Sequence, residues 1–318
     1  MRKKLNIGLV GYGFMGRTHS NAYNKVNKFF DLKYEPVLKA VSGLESPKLT
    51  SFAENWGWQS TEPDWRKLVE RKDIDLIDIC TPGDTHAEIA ITALEAGKHV
   101  LTEKLMAHNV AQCKVMGLVA EHTGKILAVG HQRHYSVLYD NAVNLLNWGV
   151  LGEVHHIRAQ WHRGDNMPGN DSWQPPLPGG EEVVSGGKTT IDDRILKELR
   201  SYEGRLKDES DPAQYDIWQK KVAQWTAWNE DRKISAKDYG YEDLTLSNGR
   251  KRSALEELCR WRLWERTGGG LMAELGSHQL DASSIFVSAL HNRGKARKDQ
   301  VHVHPLSVHA VGGRHVFA

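Results

Sequence analysis

At 318 residues, with 42 basic and 40 acidic side chains and a formal charge of +2, the chain can build two domains around a large core and has no charge excess to draw it to nucleic acid or an anionic membrane. Its three cysteines, Cys80, Cys113 and Cys259, form no C-x-x-C pair, and no apolar run reaches the length of a membrane span. The apolar run behind the basic Met1-Arg2-Lys3-Lys4 is too short for a signal sequence, so a reduced, cytoplasmic protein is expected.

Leu5 to Val10 reads as a short strand that breaks at Gly11-Tyr12-Gly13-Phe14-Met15-Gly16 and passes into a helix. In this arrangement Gly11 permits the tight turn and Gly13 lets the backbone approach a pyrophosphate. Gly16 allows helix and strand to pack closely, with the phosphates on helix N–H groups. Pro36 to Ser42 is a second parallel strand, and the residue type at its end selects the cofactor, because a carboxylate takes a ribose 2′-hydroxyl and a cation takes a 2′-phosphate. Ser42 is followed by Glu45 and Lys48, which leaves NAD and NADP both open, with NAD favoured.

Helices are expected over Lys48–Trp58 and Trp65–Arg71, a strand over Ile74–Cys80 that ends at Thr81-Pro82, and a helix from Thr85 as N-cap to a stop at Gly97. The strand His99–Thr102 runs into Glu103-Lys104-Leu105. Loops at the carboxyl ends of parallel strands line the ligand crevice, so Thr81, Pro82, Glu103 and Lys104 share an edge with the glycine loop. A helix over Ala111–His122 and the strand Ile126–Gly130 close a nucleotide-binding domain of residues 1–130. Residues 131–318 form a second domain, with a helix over Tyr139–Trp148, strands over Val154–Trp161 and Val301–Val311, and a loop over Asn166–Gly187. Within it, about 191–267 reads as a charged, tryptophan-rich helical insert, whose stripe Tyr215, Trp218, Val222 and Trp225 is read as core.

Taken together, Gly11-x-Gly13-x-x-Gly16, Thr81-Pro82 with His86, Glu103-Lys104, and Gly268-Gly269-Gly270 leading to Glu274 and His278 resemble the glucose-fructose oxidoreductase / inositol dehydrogenase (Gfo/Idh/MocA) family. The resemblance implies an α/β protein: an N-terminal doubly wound Rossmann sheet and a C-terminal α+β domain with an open-faced mixed sheet. It also implies NAD(P)-dependent redox chemistry on a sugar or cyclitol, in a homodimer or homotetramer, with Thr81, Pro82, His86, Glu103 and Lys104 among the residues at the cofactor. Members continue with further strands after Val301–Val311, so the chain reads as truncated at its C-terminus. Two positions depart from the pattern. Leu105 stands where the family has proline, whose absence makes a cis peptide cost several kcal/mol, and Glu274 stands where the family has aspartate.

Oxidising a carbinol requires a base that titrates near neutrality within hydrogen-bond reach of the hydroxyl. Lys104 meets that need if burial and a neighbouring positive ring lower its pKa, and His278 meets it unshifted. Glu274 lies one helical turn before His278, where it would orient the imidazole, and Asp281 lies one turn further on. The plainer readings are a solvated loop lysine and a buried helix histidine satisfied by Glu274. For substrate, His131 and Arg133 follow the last Rossmann strand, and Trp161, with His162 and Arg163 beyond it, ends the next one. An indole there would either stack on a sugar face or serve packing. His302 and His304 alternate along a strand without H-E-x-x-H or a cysteine pair, so no metal is expected. Two rival readings stand beside the dehydrogenase: tightly held NAD used for transient oxidation in an elimination or epimerisation, and a dinucleotide- or sugar-binding protein that has lost catalysis.

Overall fold

The computed structural model describes residues 2–44, 47–161, 174–270 and 272–312. Strands and helices alternate through the first half: β1 (Lys3–Val10), α1 (Phe14–Phe29), β2 (Tyr34–Ser42), α2 (Pro47–Trp56), β3 (Thr61–Glu62), α3 (Trp65–Glu70), β4 (Leu76–Ile79), α4 (His86–Glu95), β5 (His99–Thr102), α5 (Val110–Thr123), β6 (Leu127–Val129) and α6 (Val137–Asn147). The six strands form one parallel sheet in the order β3-β2-β1-β4-β5-β6. That order reverses between β1 and β4, which is where a doubly wound sheet opens its ligand crevice.

Alternation along the strands sorts side chains onto two faces. Ile7 and Leu9 of β1 pack with Leu38, Val41, Leu49 and Phe52 on one side, while Val10, Ile77, Ile79, Leu94, Val100 and Met116 pack on the other. Each such side chain withdrawn from water contributes about 1.5–3 kcal/mol. Asp78, between Ile77 and Ile79, is wholly buried. Helix ends follow the sequence: Asp64 Oδ1 accepts from Arg66 N, Asn109 Oδ1 accepts from Gln112 N, and Gly124 ends α5 at φ +63°. Thr85 stands at the N-cap of α4 as expected, but its hydroxyl donates to the Pro82 carbonyl at 2.7 Å instead of capping the helix.

The second half holds β7 (Glu181–Ser185), β8 (Lys188–Asp192), α7 (Arg194–Asp208), α8 (Pro212–Glu230), β9 (Leu244–Thr245), β10 (Lys251–Arg252), α9 (Ala254–Cys259), α10 (Glu265–Gly268), a π-turn over Met272–Gly276 and α11 (Ser277–His291). By compactness, residues 272–310 belong with the unit that holds the sheet, and residues 174–270 form a unit of their own. In the latter, Ile195, Leu199 and Trp225 make a small core with Tyr202 and Val222 against it, so half of the stripe read as core, Val222 and Trp225, joins that core, while Trp218 is partly buried against Tyr202 and Tyr215 stays 44% exposed. Arg252 and Glu257 form a buried ion pair at 2.6 Å.

The α/β class stands, but four expected elements differ. In place of an open mixed sheet, the described residues carry two separate two-stranded antiparallel sheets, β7-β8 and β9-β10. Strand β7 falls inside the stretch read as loop: Gly186 and Gly187, at φ +59° and +74°, supply the two-residue turn that lets Ser185 pair with Lys188. The segments Val154–Trp161 and Val301–Val311 are not strands, because a strand needs a neighbour for its hydrogen bonds and neither has one among the described residues. Side chains of and just after α11 hold the second one instead: Val301 N donates to Asn292 Oδ1 at 3.0 Å, and Val303 N donates to Ser288 Oγ at 3.2 Å.

Candidate active site

The glycine loop lies at the carboxyl end of β1. Gly11, at φ +99°, donates its N–H to the Ser42 carbonyl at 2.9 Å, and a Cβ there would lie 2.8 Å from the Cys80 carbonyl. A Cβ on Gly16 would collide with the Gly11 carbonyl, whereas one on Gly13 would meet no protein atom within 4 Å. Gly13 is the N-cap of α1 and no side chain caps that helix, so the first-turn N–H groups, which have no intrahelical acceptor, keep their hydrogen-bonding capacity. Tyr12 packs on Gly43 and Phe52, Met15 is half-buried and Phe14 is 73% exposed. Ser42 Oγ, at the end of β2, is buried with no hydrogen-bond partner. A bare helix N-terminus, open backbone at Gly13 and an orphaned hydroxyl at the end of β2 fit a dinucleotide. Of the two residues that bear on NAD against NADP, Glu45 lies outside the described residues and Lys48 is exposed in α2.

Two loops meet beside it. Thr81 Oγ1 hydrogen-bonds Thr85 Oγ1 at 2.7 Å, and Pro82 starts the short turn into α4. His86, expected at the cofactor, is 1% exposed; its Nε2 faces the Thr81 carbonyl at 2.9 Å and its Nδ1 the Leu105 carbonyl at 2.6 Å. It therefore clasps the loop after β4 to the loop after β5, with both ring nitrogens engaged inside the protein. The Lys104–Leu105 peptide is cis without proline.

Lys104 and Glu274 come together. Lys104 Nζ donates to the Glu274 carbonyl at 2.9 Å and to its Oε1 at 3.3 Å, with both side chains largely buried. His278 is 5% exposed. Burial, followed by the positive charges of Lys104 and Arg133 and by His131, takes its pKa down to about 4 against the opposing pull of Glu274, so His278 is not the unshifted imidazole the sequence suggested, and the Glu274 carboxylate expected to orient it is engaged by Lys104. Its ring lies 6.1 Å from that of His131 and 5.5 Å from that of Trp161. His131 is also lowered, chiefly by burial.

Arg133 sits 5.2 Å over the Trp161 ring and its Nε donates to Tyr139 Oη at 2.7 Å, while its buried Nη1 has no hydrogen-bond partner. Asp281 is engaged by His134, whose Nε2 approaches Oδ1 at 2.6 Å. Lys104, Glu274, His278, His131, Arg133 and Trp161 thus form one neighbourhood, and Asp281 borders it through its charge on His131. His162 and Arg163 lie outside the described residues. His302 and His304 stack edge to face, and His302 Nε2 lies 3.2 Å from Ser284 Oγ.

Sequence reasoning missed a group beneath the loops. His19 of α1 has Nδ1 at 2.8 Å from Asp78 Oδ2 and Nε2 at 3.1 Å from Glu103 Oε1, and Cys80 Sγ lies 3.4 Å from Nδ1. Tyr23 Oη donates to Asp78 Oδ2 at 2.7 Å. Burial alone would lower the His19 pKa, but bonds to Asp78, Cys80 and Glu103 overcome it and raise it to about 12. Ligand-type atoms of His19, Asp78 and Cys80 lie within 4.8 Å of one another, and in this structure they hydrogen-bond among themselves. The signal was present in the sequence: an aspartate between two isoleucines of a central strand is buried and must find a partner, and the helix crossing that strand carries a histidine.

Residues 5–131 match the family described as "Oxidoreductase family, NAD-binding Rossmann fold". The chain is 32% identical over 184 residues to a levoglucosan dehydrogenase of Pseudarthrobacter phenanthrenivorans, covering 56% of this chain and 47% of that protein. It is 35% identical over 165 residues to a glycosyl hydrolase family 109 protein of Phocaeicola vulgatus, covering 49% and 38%. Among solved structures, an oxidoreductase domain protein from Kribbella flavida superposes with a TM-score of 0.51 at 41% identity, over 56% of this chain and 47% of that one. The chain spans about half the length of the curated relatives it matches. Residues 5–131, with their six-stranded parallel sheet and glycine loop, match the Gfo/Idh/MocA family of oxidoreductases with an NAD-binding Rossmann fold.

Proposed function

We propose that the protein is an NAD(P)-dependent oxidoreductase acting on a secondary hydroxyl of a sugar or cyclitol, with NAD favoured as cofactor. The observation that carries this reading is the Lys104–Glu274 contact at the carboxyl edge of the sheet that also bears the glycine loop. Bound nicotinamide would supply the hydride chemistry, and the chain's own residues would handle the proton and the substrate. Gly11, Gly13 and Gly16 hold the pyrophosphate, and Ser42 offers its hydroxyl to the ribose. Lys104 Nζ exchanges the carbinol proton, His278, neutral at pH 7, hydrogen-bonds the hydroxyl beside it, and Glu274 fixes Nζ in place. His131, Arg133 and Trp161 line the substrate side, with the indole as stacking surface and the unpartnered Arg133 Nη1 as donor.

The relative named a levoglucosan dehydrogenase supports the sugar class. A relative named for glycoside hydrolysis favours a second reading, transient oxidation by retained NAD to drive elimination or epimerisation, because cleaving a glycoside involves no net redox change. Native mass spectrometry for retained dinucleotide, followed by absorbance at the reduced-nicotinamide band across a panel of sugars and inositols, tests both. NADH formed in step with turnover supports the dehydrogenase, sugar conversion without it supports the second reading, and failure to bind any dinucleotide overturns both.

A further inference from the structure

We propose that His19 is the positioning residue for Lys104 and acts through Glu103; this rests on the reading of Lys104 as a proton-handling group. An unbroken chain of contacts joins them. Tyr23 Oη and His19 Nδ1 both bond to Asp78 Oδ2, at 2.7 and 2.8 Å. His19 Nε2 bonds to Glu103 Oε1 at 3.1 Å, and Lys104 N donates to Glu103 Oε2 at 3.1 Å. Lys104 Nζ then reaches Glu274.

Two features make this a positioning device and more than a helix-to-sheet tether. Both nitrogens of His19 face carboxylates, and only an imidazolium donates from both at once. Asp78 is already served by Tyr23, so the His19 bond that adds something new is the one to Glu103, the residue that leads directly into Lys104. Gly130, just after β6, leaves room for the seat: a Cβ there would lie 3.0 Å from Glu103 Oε1 and crowd the carboxylate. The groups facing His19 are Asp78 and Cys80 at the end of β4, Glu103 after β5 and Tyr23 on its own helix. Cys80 faces it as a neutral thiol, since burial and Asp78 push its pKa up to about 12.

The test compares wild type, His19→Gln, Glu103→Gln and the double variant. Acetylation of lysines by an amine-reactive ester, read peptide by peptide by mass spectrometry with no cofactor or substrate added, reports how firmly Lys104 is held. The expected result is several-fold faster modification of Lys104 in each single variant, other lysines unchanged, and no further gain in the double variant, since the two residues act in series. With a substrate in hand, kcat falls about ten- to a hundredfold in both variants while the KM for cofactor holds, as misplacement of a reacting group predicts. Unchanged Lys104 labelling in a folded variant, or additive effects, overturns the proposal. If His19→Gln does not fold, Glu103→Gln alone decides, because the His19–Asp78 pair survives in it. If wild type turns over no sugar, the catalytic reading falls while the labelling still decides the role of His19.

Discussion

The Lys104 ammonium donates to the Glu274 carbonyl at 2.9 Å across a sequence separation of 170 residues. One partner follows a strand of the parallel sheet and the other lies in a π-turn that opens α11. The turn brings the Glu274 carbonyl and carboxylate to the same nitrogen, so Lys104 is held by two acceptors of one residue. His278, one helical turn on, feels the resulting charge.

Replacing Lys104 by Ala should leave dinucleotide binding within a few-fold of wild type and reduce single-turnover hydride transfer about 10²- to 10⁴-fold, the range for removal of a positioned acid–base group. Stopped-flow absorbance of the reduced nicotinamide measures the second, and fluorescence quenching of the protein's tryptophans the first.

The glycines of the loop should separate by what surrounds them. Gly13→Ala meets no protein atom, so its melting temperature should match wild type while its affinity for dinucleotide falls. Gly16→Ala drives a methyl into the Gly11 carbonyl and should lower both. Equal thermal losses in the two variants would count against the loop geometry described here.

Stability should fall between pH 6.5 and 4. His278 has a pKa of about 4 in the folded chain and an ordinary one near 6.5 when unfolded. In that window the unfolded chain binds the extra proton, so folding weakens as pH drops, by a few kcal/mol at most. Glu103, also lowered, adds a loss of the same sign at the acid end. The His278→Gln variant should show a flatter urea-midpoint profile over this window.

In the unit of residues 174–270, Glu257→Ala should cost about 3 kcal/mol or more, since it leaves the Arg252 guanidinium buried without its carboxylate. Arg266, whose Nε donates to Glu257 Oε1 at 2.9 Å, loses the same partner. A double change to apolar residues of similar volume should recover most of the loss, and chemical denaturation measures both.

The order of strands and helices over residues 3–147 was legible because each element is short and its signal local: alternation for strands, capping residues and glycines for helix ends. The hairpin β7-β8 was equally local, with Gly186-Gly187 as its turn, yet the surrounding prolines and glycines masked it as loop. Lys104, Glu274 and His278 were legible as a set only through the family resemblance. Nothing local to Val154–Trp161 or Val301–Val311 states whether a partner strand exists, and the alternation there did not become a ladder.

By itself the sequence determined the glycine loop, since turn geometry and close packing at Gly11 and Gly16 tolerate no side chain, and it determined the two-faced sheet, since a period of two places Ile77 and Ile79 opposite Asp78. Tertiary structure alone decided which charges meet. His19, Asp78 and Glu103 come from three different elements, and Lys104 and Glu274 from opposite parts of the chain. Such pairings depend on how the elements pack, because a buried charge accepts whichever partner the fold brings within hydrogen-bond reach and local spacing does not encode which one that is.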